Sequence, residues 1–140
     1  MATLTTSGQE IFPWLEKYSV GIPQIDAQHQ GLIRLINDLH TAMGAGQGKQ
    51  AAGKIIDELI RYTEIHFSFE EDMLQQKGYS RLTRHQAVHK TLVGQVVELR
   101  QKFLASKLTL SMEVMQFLKS WLADHIMGHD QHYAAELKTR

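Results

Sequence analysis

The chain has 140 residues, with eight histidines, no cysteine, and fifteen basic residues balanced by fifteen acidic ones. This length fits one domain spanning residues 1–140, and the lack of cysteine excludes disulfides, iron–sulfur clusters and thiolate zinc sites. A neutral chain lacks the basic footprint of a nucleic-acid partner. No stretch has the apolar length of a membrane span or the pattern of a signal peptide, so we expect a cytoplasmic protein with no membrane insertion.

Proline and glycine divide the chain into an N-terminal arm, residues 1–22, and a helical region, residues 23–138. No proline follows Pro23, which suits long helices. Glycines around Gly46 and at Gly78 mark two loops, and a weaker break falls near residues 107–111. The predicted helices are Gln24–Met43, Gln50–Gln76, Arg81–Ser106 and Ser111–Leu137.

Each predicted helix carries one stripe of mostly apolar residues at alternating steps of three and four. In the second helix, the stripe is Ala52, Ile55, Leu59, Tyr62, His66, Phe69 and Met73. This spacing is typical of a helix with one buried face. Four such helices joined by short loops predict an all-α, antiparallel up-down-up-down four-helix bundle.

Histidine interrupts the buried stripe of every helix, which is costly unless each imidazole has a partner. In an antiparallel bundle, these positions fall at the same end of the domain, together with two carboxylates. The converging side chains are His29, His66, Glu70, His85, His89, His125 and Asp130. Five imidazoles and two carboxylates are too many for one tetrahedral zinc. They suit two transition metals, and ligand type alone leaves iron, manganese, zinc and copper open.

Several motifs in order make the chain resemble the hemerythrin family in its single-domain bacterial form. They are Trp14-x-x-x-Tyr18, Val20-Gly21-Ile22, Ile25-Asp26-x-Gln28-His29-x-x-Leu32, His66-Phe67-x-x-Glu70-Glu71-x-Met73, His85-x-x-x-His89 and Trp121-Leu122-x-x-His125-Ile126-x-x-x-Asp130-x-x-Tyr133. Each motif is weak by itself. Their order over nearly the whole chain makes the resemblance specific.

The resemblance implies a non-heme centre of two iron ions bridged by an oxo or hydroxo group. One iron would be held by His85, His89 and His125. The other would be held by His29 and His66, and would keep a vacant position. The bridging carboxylates would be Glu70 and Asp130. An apolar oxygen pocket would be lined by Phe67, Trp121, Leu122 and Ile126, although all four also fit an ordinary core.

The function implied is reversible binding of dioxygen, for transport, storage or supply, by a protein that is not an enzyme, although a peroxidase-type side activity is possible. A protein that receives the oxygen cannot be named from the sequence. Three alternatives stay open: a di-iron peroxidase or nitric oxide reductase, an iron store, and an oxygen sensor that acts through a separate partner.

Overall fold

A computed structural model describes residues 10–44, 49–105 and 112–138. Its α-helices are α1 (Pro23–Gly44), α2 (Lys49–Gln76), α3 (Leu82–Leu104), α4 (Met112–His125) and α5 (Gln131–Lys138). A short 3₁₀ turn, Glu16–Tyr18, lies in the arm, and a π-helical turn, Ile126–Asp130, joins α4 to α5. The predicted antiparallel four-helix bundle with an N-terminal arm is confirmed, with α4, the π turn and α5 forming the fourth helical rod.

The predicted helix boundaries agree within two residues wherever the structure describes them. The predicted glycine loop at Gly46 and the break near residues 107–111 lie outside the described residues. None of the described helices is both long enough and apolar enough to cross a membrane.

The fourth rod differs from the single regular helix that we predicted. At the π turn, the backbone N–H of Gln131 bonds to the carbonyl of Ile126, five residues earlier. A π turn widens the helix by one residue, so side chains five apart share a face there. His125 and Asp130 are five apart, which is why the irregular turn falls between them.

The end of α2 shows why the chain turns where it does. Gly78 has a φ of +68°, and the N–H groups of Gly78 and Tyr79 bond to the carbonyls of Gln75 and Leu74. This is the Schellman arrangement, in which glycine accepts the left-handed conformation that other residues resist. The turn sends the chain directly into α3 and so sets the α2 carboxylates beside the α3 histidines.

Two apolar clusters enclose the histidines along the bundle. In α1, Leu32 belongs to the main core and Ile25 to a second cluster, with His29 between them. The second cluster comprises Val20, Ile25, Leu74, Tyr79, Tyr133 and Ala134. The polar site therefore lies between two apolar clusters along the bundle.

The arm is tied to the bundle by side chains that bind its backbone. Asn37 accepts a hydrogen bond from the Phe12 N–H at 3.0 Å and donates one to the Phe12 carbonyl at 2.9 Å. Asp26 accepts from the Ser19 hydroxyl at 2.6 Å and from the Val20 N–H at 2.8 Å. These bonds hold the arm against the bundle and satisfy polar groups that would otherwise be buried alone.

The buried face of α2 departs from the predicted stripe near the site. Phe69 was placed on the stripe, yet it is 37% exposed, whereas Phe67 is 4% exposed and Glu70 is fully buried. Turning Glu70 inward, one residue past the stripe position, moves Phe69 toward solvent. The need to bury the carboxylate among the histidines accounts for this shift.

Candidate metal centre

The structure brings all seven predicted side chains together in the interior of the bundle. Each of them is at most 4% exposed. All four helical rods of the bundle supply ligand side chains: α1 supplies His29, α2 supplies His66 and Glu70, α3 supplies His85 and His89, and the fourth rod supplies His125 and Asp130. The four-residue spacings in α2 and α3 place both members of each pair on one helix face.

Glu70 divides its two oxygens between the histidines. Its Oε1 lies 2.9 Å from the Nε2 atoms of both His85 and His89. Its Oε2 lies 3.8 Å from Nε2 of His29 and 3.7 Å from Nε2 of His66. The carboxylate therefore faces a group from α3 with one oxygen and a group from α1 and α2 with the other.

Asp130 divides its oxygens in the same sense. Its Oδ1 lies 3.1 Å from Nε2 of His85 and 3.2 Å from Nε2 of His125. Its Oδ2 lies 3.1 Å from Nε2 of His29. Two atoms that bind one ion at right angles, each at about 2.1 Å, lie about 3 Å apart, so these separations suit shared ligation of a metal.

Two groups of side chains could each hold a metal ion, and they share one carboxylate. One contains Glu70, His85, His89, His125 and Asp130, and the other contains His29, His66 and Glu70, with the candidate ligand atoms in each group within 4.8 Å of one another. We refer to them as the three-histidine side and the two-histidine side.

The nitrogen and oxygen atoms of the site suit metal binding because many of them have no hydrogen-bond partner. Within the described residues, eight buried side-chain atoms have no hydrogen-bond partner, and all eight belong to His29, His66, His89, His125 and Asp130. Such atoms are rare in folded proteins because each one forfeits its bonds to water. A cation between the two groups would satisfy most of them at once.

The ligand side chains differ in their protonation. Burial favours the neutral form of His85, but its close contacts with Asp130 and Glu70 raise its pKa to about 9, so metal binding there would displace a proton. Burial lowers the pKa of His66 to about 4, so this imidazole is neutral at neutral pH. Burial and the nearby charge of Asp130 oppose ionisation of Glu70, yet its close contacts with the rings of His85 and His89 outweigh them and hold its pKa below the usual range. Burial, together with Glu70, raises the pKa of Tyr133 well above its usual range, so its hydroxyl stays protonated.

Three polar residues around the site have roles that sequence reasoning missed. Tyr133 is fully buried and donates a 2.8 Å hydrogen bond to Glu70 Oε2. Gln28 Oε1 lies 2.6 Å from Nδ1 of His66, and Glu71 Oε2 lies 2.7 Å from Nδ1 of His89. An acidic residue next to Glu70 in the sequence is ordinarily solvated, so nothing in the sequence indicated the Glu71 contact. Asp26, three residues before His29, binds the Ser19 hydroxyl and the Val20 N–H of the arm.

The four predicted pocket residues are all buried, at 6% exposure or less. Phe67 stacks on the His89 ring with centroids 3.7 Å apart and also contacts the rings of His66 and His125. Trp121 donates a 3.1 Å hydrogen bond from Nε1 to the Leu92 carbonyl. The other two predicted pocket residues, Leu122 and Ile126, belong to the main core.

Two shallow pockets connect the outer edge of the site with solvent. A pocket of about 400 Å³ between α3 and α4 has His125, His129 and Trp121 among its lining residues. Another, of about 200 Å³, has His85, His129 and His132 in its wall. His129 lies on both, and its ring contacts those of His85 and His125, with centroids 6.3 and 5.4 Å apart.

A helical bundle with a buried histidine–carboxylate cluster defines a class of metal-binding proteins. The sequence model of the hemerythrin HHE cation binding domain matches residues 20–137, and the chain belongs to the hemerythrin family. It is 38% identical to a bacteriohemerythrin from Stenotrophomonas maltophilia, over 89% of this chain and 80% of that protein.

More distant relatives and solved structures agree. A myohemerythrin from Theromyzon tessulatum is 29% identical, over 91% of this chain and 95% of that protein. The crystal structure of a wild-type hemerythrin superposes with a TM-score of 0.82 at 31% identity, covering 91% of this chain and 98% of that one. The family resemblance found in the sequence is confirmed.

Proposed function

We propose that the chain binds dioxygen reversibly at a centre of two iron ions. The observation that supports this most directly is the division of the Glu70 and Asp130 oxygens between two groups of histidines. Each carboxylate would bridge the two ions. His85, His89 and His125 would bind one iron, and His29 and His66 would bind the other.

The unequal number of histidines gives the centre its function. The three-histidine side offers three nitrogens and two bridging oxygens, whereas the two-histidine side offers two nitrogens and the same bridging carboxylates. Two ions held by these side chains would therefore be unequally covered, and the one on the two-histidine side would have room for an outside ligand. When bound, a reduced iron pair supplies this open position and the two electrons that dioxygen requires.

The side chains around the site would protect the bound oxygen. Phe67 lies against three of the histidine rings. The side chains of Trp121, Leu122 and Ile126 are buried, and each lies within four residues of His125 in the sequence. An apolar surrounding excludes the water and anions that would displace the ligand or carry away a proton. Tyr133 holds Glu70 in place through its hydrogen bond and is kept protonated by burial.

The test is a cycle of oxygen exposure and removal. The iron-loaded protein is reduced, exposed to oxygen, recorded by visible absorption, and then deoxygenated under vacuum. A carrier forms a distinct coloured species and returns to the reduced spectrum over several cycles. Formation of the oxidised state with no return of the reduced spectrum would contradict reversible binding.

The enzymatic alternatives are separated by turnover. A peroxidase or nitric oxide reductase would consume many equivalents of peroxide or nitric oxide per chain with an electron donor present. We expect no sustained turnover. The His66→Ala variant is the matched control, because it removes a ligand from the two-histidine side. Any turnover that depends on the site should be lost in this variant.

A further inference from the structure

We infer that Glu71 and Gln28 add to the inequality set by the numbers of histidines, so that the three-histidine side holds its metal more tightly. This inference rests on the ligand assignment within the proposed function. It concerns the outer nitrogens of the histidines, meaning the Nδ1 atoms, which face away from the metal positions.

The two outer partners differ in charge and occupy opposite sides. Glu71 presents a carboxylate oxygen 2.7 Å from Nδ1 of His89, on the three-histidine side. Gln28 presents an amide oxygen 2.6 Å from Nδ1 of His66, on the two-histidine side. Both contacts are half-buried, so solvent screens them less than it would a surface pair.

A partner at the outer nitrogen changes what the inner nitrogen can donate. When a carboxylate accepts the Nδ1 proton, the imidazole becomes more electron-rich and Nε2 becomes a stronger ligand. A neutral amide fixes the same ring orientation and tautomer with less effect on basicity. His89 is therefore the stronger donor and His66 the weaker one.

Tyr133 acts in the same direction. Its hydroxyl donates to Glu70 Oε2, the oxygen that faces His29 and His66. That hydrogen bond withdraws electron density from the oxygen on the two-histidine side. The other carboxylate oxygen, Oε1, faces His85 and His89.

Within the described residues, two other histidines of the site, His29 and His125, show no comparable acceptor. Nδ1 of His29 and Nδ1 of His125 are buried without a hydrogen-bond partner. Glu71 and Gln28, together with Tyr133, are therefore groups outside the ligand set that distinguish the two positions. The expected result is ordered loading, with the three-histidine side filled first and the two-histidine side emptied first.

The experiment titrates the metal-free protein with Co²⁺ and follows heat and the cobalt absorption bands. We expect two binding steps, and the weaker one should disappear in His66→Ala. Glu71→Gln keeps a hydrogen-bond acceptor and the side-chain shape but removes the charge. It should weaken the tighter step by about 10- to 100-fold. Gln28→Glu should tighten the weaker step and bring the two affinities together.

Asp72→Asn is the matched control, because it removes one negative charge from the exposed neighbouring position. It should leave both steps within about twofold of the parent, as expected for screened surface charges. Far-UV circular dichroism of each metal-free variant checks that the bundle is intact.

Two outcomes would overturn the inference. One is a Glu71→Gln titration that matches Asp72→Asn, and the other is equal weakening of both steps, which would place the effect in the shared bridge. Because Co²⁺ reports affinity without oxygen, unequal steps combined with no reversible oxygenation of the iron form would refute the proposed function alone.

Discussion

At one end of the bundle, the core contains five imidazoles and two carboxylates, whereas the opposite end is filled by aliphatic and aromatic side chains. The apolar end includes Ile36, Leu39, Ile56, Val96 and Phe103, each at most 6% exposed. Apolar burial there stabilises the fold whatever the site contains. At the polar end, the same helices bury groups that cost free energy until a partner satisfies them.

This difference means that stability and metal binding are located in separate parts of one bundle. Substitutions at the polar end should change metal content first, and substitutions at the apolar end should change unfolding free energy first. Variants at the two ends of the bundle test this separation.

Removing one ligand from the polar end should abolish normal metal binding. We expect two irons per chain in the parent and a severe loss in Glu70→Ala or His66→Ala, because a bridge or half of a histidine pair is gone. Metal analysis after expression with ample iron is the measurement. His40→Ala, altered on α1 outside the cluster, should keep the parental content, and equal content in all three variants would refute the ligand assignment.

Removing a large side chain from the apolar end should do the reverse. Leu39 is fully buried in the main core and follows His29 by ten residues, roughly 15 Å along α1. Leu39→Ala should lower the free energy of unfolding of the metal-free protein by about 2–5 kcal/mol, measured in urea. Its iron content at a temperature well below unfolding should match the parent. A metal loss as large as that of Glu70→Ala would contradict the separation.

Leu122 tests the boundary between the two ends. It packs in the main apolar core, and the sequence predicts that it also lines the oxygen pocket. Leu122→Ala should cost about 2–5 kcal/mol as a buried leucine. If it also shields the open position, its oxygenated form should decay to the oxidised state faster than the parent. Autoxidation is followed by absorbance well below the melting temperature. Leu99→Ala, in the apolar half of α3, is the control, and equal decay rates in the two variants would remove Leu122 from the pocket.

The sequence predicted the stripes, and the stripes predicted most of the site. Histidine on every buried face, at one depth, predicted five of the seven residues, and the two carboxylates followed from their place at the same end of the bundle. The π turn was harder to see, because its only trace was the five-residue spacing between His125 and Asp130. A regular helix would have placed these two side chains on different faces.

The outer partners of the histidines were not predictable from the stripes. Glu71 and Gln28 lie beside the buried stripe, where acidic and amide residues are normally solvated. Their roles depend on contacts between helices, from α2 to α3 and from α1 to α2. Helical periodicity within one segment carries no information on such pairs.

The smallest effect concerns two glycines, one at the turn by the polar end and one further along α3. Gly78 has a φ of +68°, a conformation that costs an alanine roughly 1–2 kcal/mol. Gly94 lies inside α3, and a Cβ added there would meet nothing within 4 Å. Gly94→Ala should therefore stabilise the metal-free protein by about 0.5–1 kcal/mol through helix propensity, while Gly78→Ala should destabilise it. Urea unfolding of both variants, compared with the parent, gives the sign of each change in unfolding free energy.

Neither variant alters a ligand, so iron content should stay at the parental level in both. If Gly78→Ala proved as stable as Gly94→Ala, the turn at the end of α2 would not require its left-handed glycine, and the close α2–α3 connection at the site would need another explanation.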